Sequence, residues 1–177
     1  MTVRKFENTV PQIAASAYVD ATALVIGDVR IADDASLWPQ VVARGDVNTI
    51  VIGARTNIQD GSVLHVSHDS EFAPGGFALC VGADITVGHQ AILHGCTIED
   101  SCLIGMAATV MDGAVVRSGA IVGAGSLVPP GHELDGGYLW VGSPARKVRP
   151  LRKQEAAFLE YSSAHYVELK NRHLAVR

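Results

Sequence analysis

An aliphatic residue returns every six positions through most of this 177-residue chain. The series begins at Val19 and continues through Val25 (or Ile26), Ile31, Leu37 and Ala43. After three extra residues it resumes at Ile52, Ile58 and Leu64. An irregular stretch leads to Val81, Val87 and Leu93, and a five-residue step to Ile98, Ile104, Val110, Val116, Val122 and Val128. Neither a helix nor strand alternation produces a period of six. Four places after each apolar residue stands a small or branched one, as at Ala23, Ala35, Val47, Ser62, Ala91, Cys102, Ala114 and Ser126. The double pattern predicts an all-β solenoid of hexapeptide repeats. Each short strand turns a corner, three sides close a coil of about 18 residues, and coils stack about 4.8 Å apart.

Composition agrees with narrow, uniform layers: 48% of residues are hydrophobic but only 6% aromatic, with 18 glycines. One domain is expected over 1–177. A lead-in over 1–18 is followed by the solenoid over 19–130, ended by Pro129-Pro130-Gly131, with a corner loop at 66–80. Turns follow over 131–150, and then a helix over 151–174 that packs along the outside with Phe158, Tyr161, His165 and Leu169 on one stripe. A net charge of −4 gives no reason to expect nucleic acid or an anionic membrane as partner. No apolar run reaches the ~20 residues of a membrane span, and the start lacks a secretory h-region. Three cysteines without a CxxC fit reduced thiols and a cytoplasmic location.

The register assigns polar residues to sides. If Leu64 opens side A, Val81 opens side B, Val87 side C and Leu93 side A again; Ala43 joins side A if Thr49–Val51 bulge. Arg44, His65 and His94 then share one place on side A of successive coils, so His65 and His94 are neighbours about one coil apart. Asp60 and His89 share a place on side C, with Gln59 beside them. His89 therefore leaves a different face, and a single prism does not bring three imidazoles to one ion. Oligomerisation resolves this: head-to-tail contacts between side A and side C of the next subunit close a ring, and a triangular prism makes a homotrimer natural. Three neutral imidazoles with an open position suit a catalytic zinc, though iron(II) and cobalt(II) also accept imidazole. His68, His132, His165 and His173 lack such placement and read as surface residues.

Arg44-Gly45-Asp46, Asn57-Ile58-Gln59-Asp60, Leu64-His65, Gly88-His89-Gln90 and Leu93-His94-Gly95-Cys96 closely resemble motifs of the gamma-class carbonic anhydrases and their bacterial relatives, over about residues 10 to 174. The resemblance implies a left-handed parallel β-helix, a homotrimer and metal sites at subunit interfaces, with His65, His89 and His94 as ligands. It implies that Gln59 hydrogen-bonds metal-bound hydroxide, with Asn57 beside it. Arg44 would lie near bicarbonate, paired with Asp60 and close to Asp46. Tyr166 best matches a tyrosine near the metal, with Tyr161 second. The implied reaction is reversible hydration of CO2 to bicarbonate by metal-bound hydroxide, with a proton passed to solvent. The chain departs from the archetype at that last step. Val47 replaces a glutamate after Arg44-Gly45-Asp46, and the shorter loop offers His68, Asp69 and Glu71 in place of a shuttle glutamate.

Two other classes fit the repeat. Gly142-Ser143-Pro144-Ala145-Arg146 resembles the turn after the last coil of CoA-dependent acyltransferases, and a metal hydroxide could equally hydrolyse a thioester. A metal-stabilised scaffold trimer would use the same histidines without turnover.

Overall fold

The computed structural model describes residues 2–176. Short parallel strands stack into a three-sided solenoid of about eight turns, with one helix, Lys153–Leu174, at the C-terminal end. Sides A and B form one 12-stranded sheet, because the long strands Leu24–Ile31 and Val42–Ile52 run around the corner between them. Side C is an eight-stranded sheet. The six-residue series meets its counterparts one coil away: Ala43 opposite Leu64, Leu64 opposite Leu93, Ile52 opposite Val81, and Ile58 opposite Val87.

From Val25 to Val128 every member of that series is buried. Each contributes one branched side chain to a column of like residues, so the core is a stack of thin layers with no need of large aromatics. The corners follow a rule of their own. The third residue after the core residue takes a positive φ, as at Gln40, Gly61, Gln90, Ala107 and Gly125 after side C. Non-glycine residues there accept a left-handed backbone at a cost of about 1–2 kcal/mol each. The ladder of hydrogen bonds on either side holds them in place.

The boundaries differ from expectation at three places. The described residues of the 1–18 stretch are more than a lead-in: Val3–Arg4 pairs with Val25–Ile26, and Gln12–Ile13 with Arg30–Ile31, so they build the first coil. The solenoid does not end at Pro129-Pro130-Gly131 either. Glu133–Leu134 pairs in parallel with Val115–Val116, and Tyr138–Val141 with Ile121–Val122, before Arg146–Pro150 turns back antiparallel. The prolines sit at a corner, where the ladder asks no N–H of them. The three extra residues lie between Gly45 and Ile50, where four residues stand opposite the single residue Asp28 between Gly27 and Val29. Val47 is accordingly exposed, and Ile50 takes the corner of the core.

The helix lies along side C, with Leu159, Ser162, Ser163 and Lys170 buried. This face is offset from the expected stripe: Phe158 and Tyr161 are exposed, and so is His165. A flat sheet side admits a helix closely through small residues, and Ser162 Oγ reaches Thr86 Oγ1 at 2.8 Å. At the far end Lys170 Nζ meets Asp34 at 2.7 Å. No helix is long and apolar enough to cross a membrane among the described residues.

Two outcomes follow from the layered core. Ile98→Ala empties one layer and should cost about 2–5 kcal/mol, read from the urea midpoint. Burial pushes the Cys102 thiol up to about 11 and Cys96 higher, whereas Cys80 is exposed. Native protein at pH 8 should therefore release one fast equivalent with Ellman's reagent, and unfolded protein three.

Candidate metal centre

His65 and His94 face one another on side A because their strands pair in register. His65 Nδ1 stands 3.0 Å from His94 Nε2. Each ring has a carboxylate at its other nitrogen: His65 Nε2 lies 3.2 Å from Asp46 Oδ1, and His94 Nδ1 lies 2.6 Å from Asp112 Oδ1. An ionised carboxylate only accepts, so both outer nitrogens must donate. In the neutral rings the two inner nitrogens then carry lone pairs that point at each other. Such a contact calls for a cation or a shared proton between them. Nitrogens bound to one tetrahedral ion at 2.0–2.1 Å would stand about 3.3 Å apart, close to the spacing seen.

The surrounding charges support neutral donors. Burial holds His65 below the ordinary imidazole range; Asp46 partly opposes this, and the Arg44 charge acts in the same direction as burial. Burial alone would raise the Asp46 carboxyl. Hydrogen bonds from Arg44, at 2.6 Å, and from His65 outweigh it and keep Asp46 ionised.

His89 projects from side C and pairs through Nδ1 with Asp60 Oδ2 at 3.0 Å. Within one chain it does not join His65 and His94, and among the described residues no group of three or more His, Cys, Asp or Glu could hold an ion. Arg44 pairs with Asp46 in this chain, and Asp60 with His89.

Around His89 lies a cavity of about 410 Å³, bounded by Gln59, Met106 and the helix residues Phe158, Ser162 and Tyr166. Its polar wall has one consistent orientation. Asn57 Nδ2 donates to the Ile85 carbonyl and to Thr86 Oγ1, so Asn57 Oδ1 faces Gln59, which meets it with Nε2 at 3.1 Å. Tyr166 is half-buried against Trp38; burial first, and then the Asp60 charge, push its phenol up. Tyr161, the second candidate, stands exposed on the outer helix face. His68 lines a different cavity, of about 770 Å³, beneath the 66–78 loop, while Asp69 is engaged with the Gly75 N–H. His132 and His165 are exposed, as is His173, whose ring meets Trp38 edge-on.

Asp112 was missing from the sequence-based set. Carrying side A one coil past Leu93 reaches Val110, and two places on stands this acid, beside the residue that follows His94.

Comparison with known proteins gives the family. The Escherichia coli protein YrdA is 52% identical over 97% of this chain and 94% of its own. A carbonic anhydrase of Geobacillus kaustophilus is 41% identical over 92% of this chain and 86% of its own. Gamma carbonic anhydrase 1 of Arabidopsis thaliana mitochondria is 41% identical over 93% of this chain and 60% of its own. The chain belongs to the gamma-carbonic-anhydrase-like hexapeptide-repeat family. Solved structures in the same fold carry transferase descriptions. A hexapeptide transferase family protein of Anaplasma phagocytophilum superposes with a TM-score of 0.86 at 36% identity, covering 94% of this chain and 95% of its own. A Bacillus cereus protein provisionally described as an acetyltransferase gives 0.92 at 35% identity, covering 99% and 98%. No protein-family profile matches the chain.

The buried amide chain has a stability consequence. Asn57→Leu strands the Gln59 amide without its partner and leaves Thr86 with Ser162 alone, and equilibrium unfolding should show a loss of about 1–3 kcal/mol with side C still folded.

Proposed function

We propose that the protein is a metal-dependent carbonic anhydrase of the gamma type, hydrating CO2 reversibly to bicarbonate at the interfaces of a homotrimer. The observation that carries this reading is the pair of imidazole nitrogens 3.0 Å apart, with a carboxylate behind each ring. His65 and His94 would supply two ligands, and His89 of a neighbouring copy the third. In that arrangement Asp60 would do for His89 what Asp46 and Asp112 do for the other two: hold the ring N–H and leave one nitrogen free.

A bound divalent ion, zinc being the simplest choice, would supply Lewis acidity that makes a proton of water removable near neutral pH. The protein groups divide the remaining work. Gln59, its amide nitrogen committed to Asn57, presents its other end to the cavity and orients the attacking oxygen. Met106 and Phe158 give the apolar wall a nonpolar gas prefers. Arg44, paired with Asp46 on side A beside His65, would provide a positive charge for the bicarbonate product once the neighbouring copy is in place. Tyr166 closes the side nearest the helix. The proton leaves through solvent-facing groups, and Val47 in place of an acid makes its export the slow step.

Acyl transfer from CoA is a second reading, favoured by the descriptions of the structural neighbours. It needs one histidine as base and no metal. The experiment is stopped-flow CO2 hydration on protein reconstituted anaerobically with zinc and, separately, with iron(II), beside His89→Ala. Metal-dependent turnover, lost together with most bound metal in His89→Ala, is expected. No turnover with metal bound and the trimer intact by light scattering would reject the assignment. Metal-independent consumption of acetyl-CoA would favour the second reading.

A further inference from the structure

The two carboxylates behind the histidines are held differently. Asp46 is tied to Arg44, a charged partner on its own strand. Asp112 has no Lys or Arg within ion-pair distance among the described residues. Its Oδ1 meets His94, and its Oδ2 accepts the Ser67 hydroxyl at 2.9 Å. The torsion that turns a carboxylate is broad, so an anchor on one oxygen decides where the other points.

Ser67 belongs to the loop, outside the repeating coils, and its backbone is fixed there. Its N–H donates to the Phe77 carbonyl at 3.0 Å, and its own carbonyl accepts the Phe77 N–H at 3.0 Å. The same carbonyl accepts Asn48 Nδ2 at 3.0 Å. Asn48 comes from the inserted residues that also carry Asp46, so the insertion and the loop are one connected unit. Phe77 lies over Gly95 and Gly113, where an added Cβ would come within 2.6 and 3.0 Å of its side chain. The loop neck is therefore seated against the coils that bear His94 and Asp112.

We propose that Ser67 is a positioning residue: its hydroxyl holds the Asp112 carboxylate so that His94 keeps its proton on Nδ1 and directs Nε2 at His65. The loop, through this one hydroxyl, becomes part of what sets metal retention. That consequence rests on the metal-site reading above, whereas the positioning itself is measurable in metal-free protein.

The test uses long-range 1H–15N NMR of the imidazoles in metal-free wild type, Ser67→Ala, Ser67→Thr and Asn48→Ala, with zinc release to a chelator as the second arm. Wild type should show His94 as the Nδ1–H tautomer. Ser67→Ala should show a mixture and release zinc about tenfold faster. Ser67→Thr, which keeps the hydroxyl, should restore both readings. Asn48→Ala, which loosens the loop but spares the hydroxyl, should give a smaller tautomer change. Unaltered His94 signals in Ser67→Ala would overturn the proposal, as would a Ser67→Thr indistinguishable from Ser67→Ala. An Asn48→Ala equal to Ser67→Ala would also overturn it, by making loop anchoring the whole effect. A tautomer change in protein that never binds metal would uphold the positioning and reject the metal reading instead.

Discussion

Everything in this molecule depends on the hydrogen-bond ladder between successive coils. In a parallel stack each residue meets its counterpart one turn on, so a residue type repeated at the right interval becomes a column. Apolar columns make the core. The same rule applied to an outward place sets His65 against His94 without any special local structure. The adjacency of these two imidazoles thus comes from plain repetition, with no loop needed to bring them together.

Repetition alone would not make a usable site, because identical neighbours in a column are free to adopt equivalent orientations. The symmetry is broken by groups outside the repeat. The residues inserted between Gly45 and Ile50 carry Asp46 to one ring, and the 66–78 loop with the next coil brings Ser67 and Asp112 to the other. One imidazole thus turns Nδ1 inward and the other Nε2. Departures from the period are few, and two of them converge on the same pair of side chains.

The parts of the chain that obey the period were legible from residue identities. The three sides, the buried series and the adjacency of His65 and His94 all followed from counting by six, and the resemblance to the carbonic anhydrases agrees with the relatives found. What was misread lies where counting gives no information. Val47 satisfies the small-or-branched rule by type, so counting puts the insertion some residues later than the ladder does. A pair of prolines resembles a stop, yet a corner tolerates them. Large side chains suggest a helix stripe through Phe158 and Tyr161, whereas contact with a flat sheet selects Ser162 and Ser163. Asp112 went unnoticed because an acid at a corner is ordinary surface until its partner is known.

The helix and the stack also share a scale. A helix of 22 residues is about 33 Å long at 1.5 Å per residue, and coils rise about 4.8 Å each. Running back from the last coil, the helix reaches Thr86 with Ser162, Trp38 with Tyr166 and Asp34 with Lys170. It acts as a ruler laid against the coils, with Tyr166 as the mark that coincides with the cavity around His89. Lengthening the solenoid beyond Asp112 by one coil would leave His65, His89 and His94 where they are and slide that mark out of place. Only about three further helical residues would restore the alignment. Solenoid length and helix length in such chains are thus coupled quantities, free to vary together and not apart.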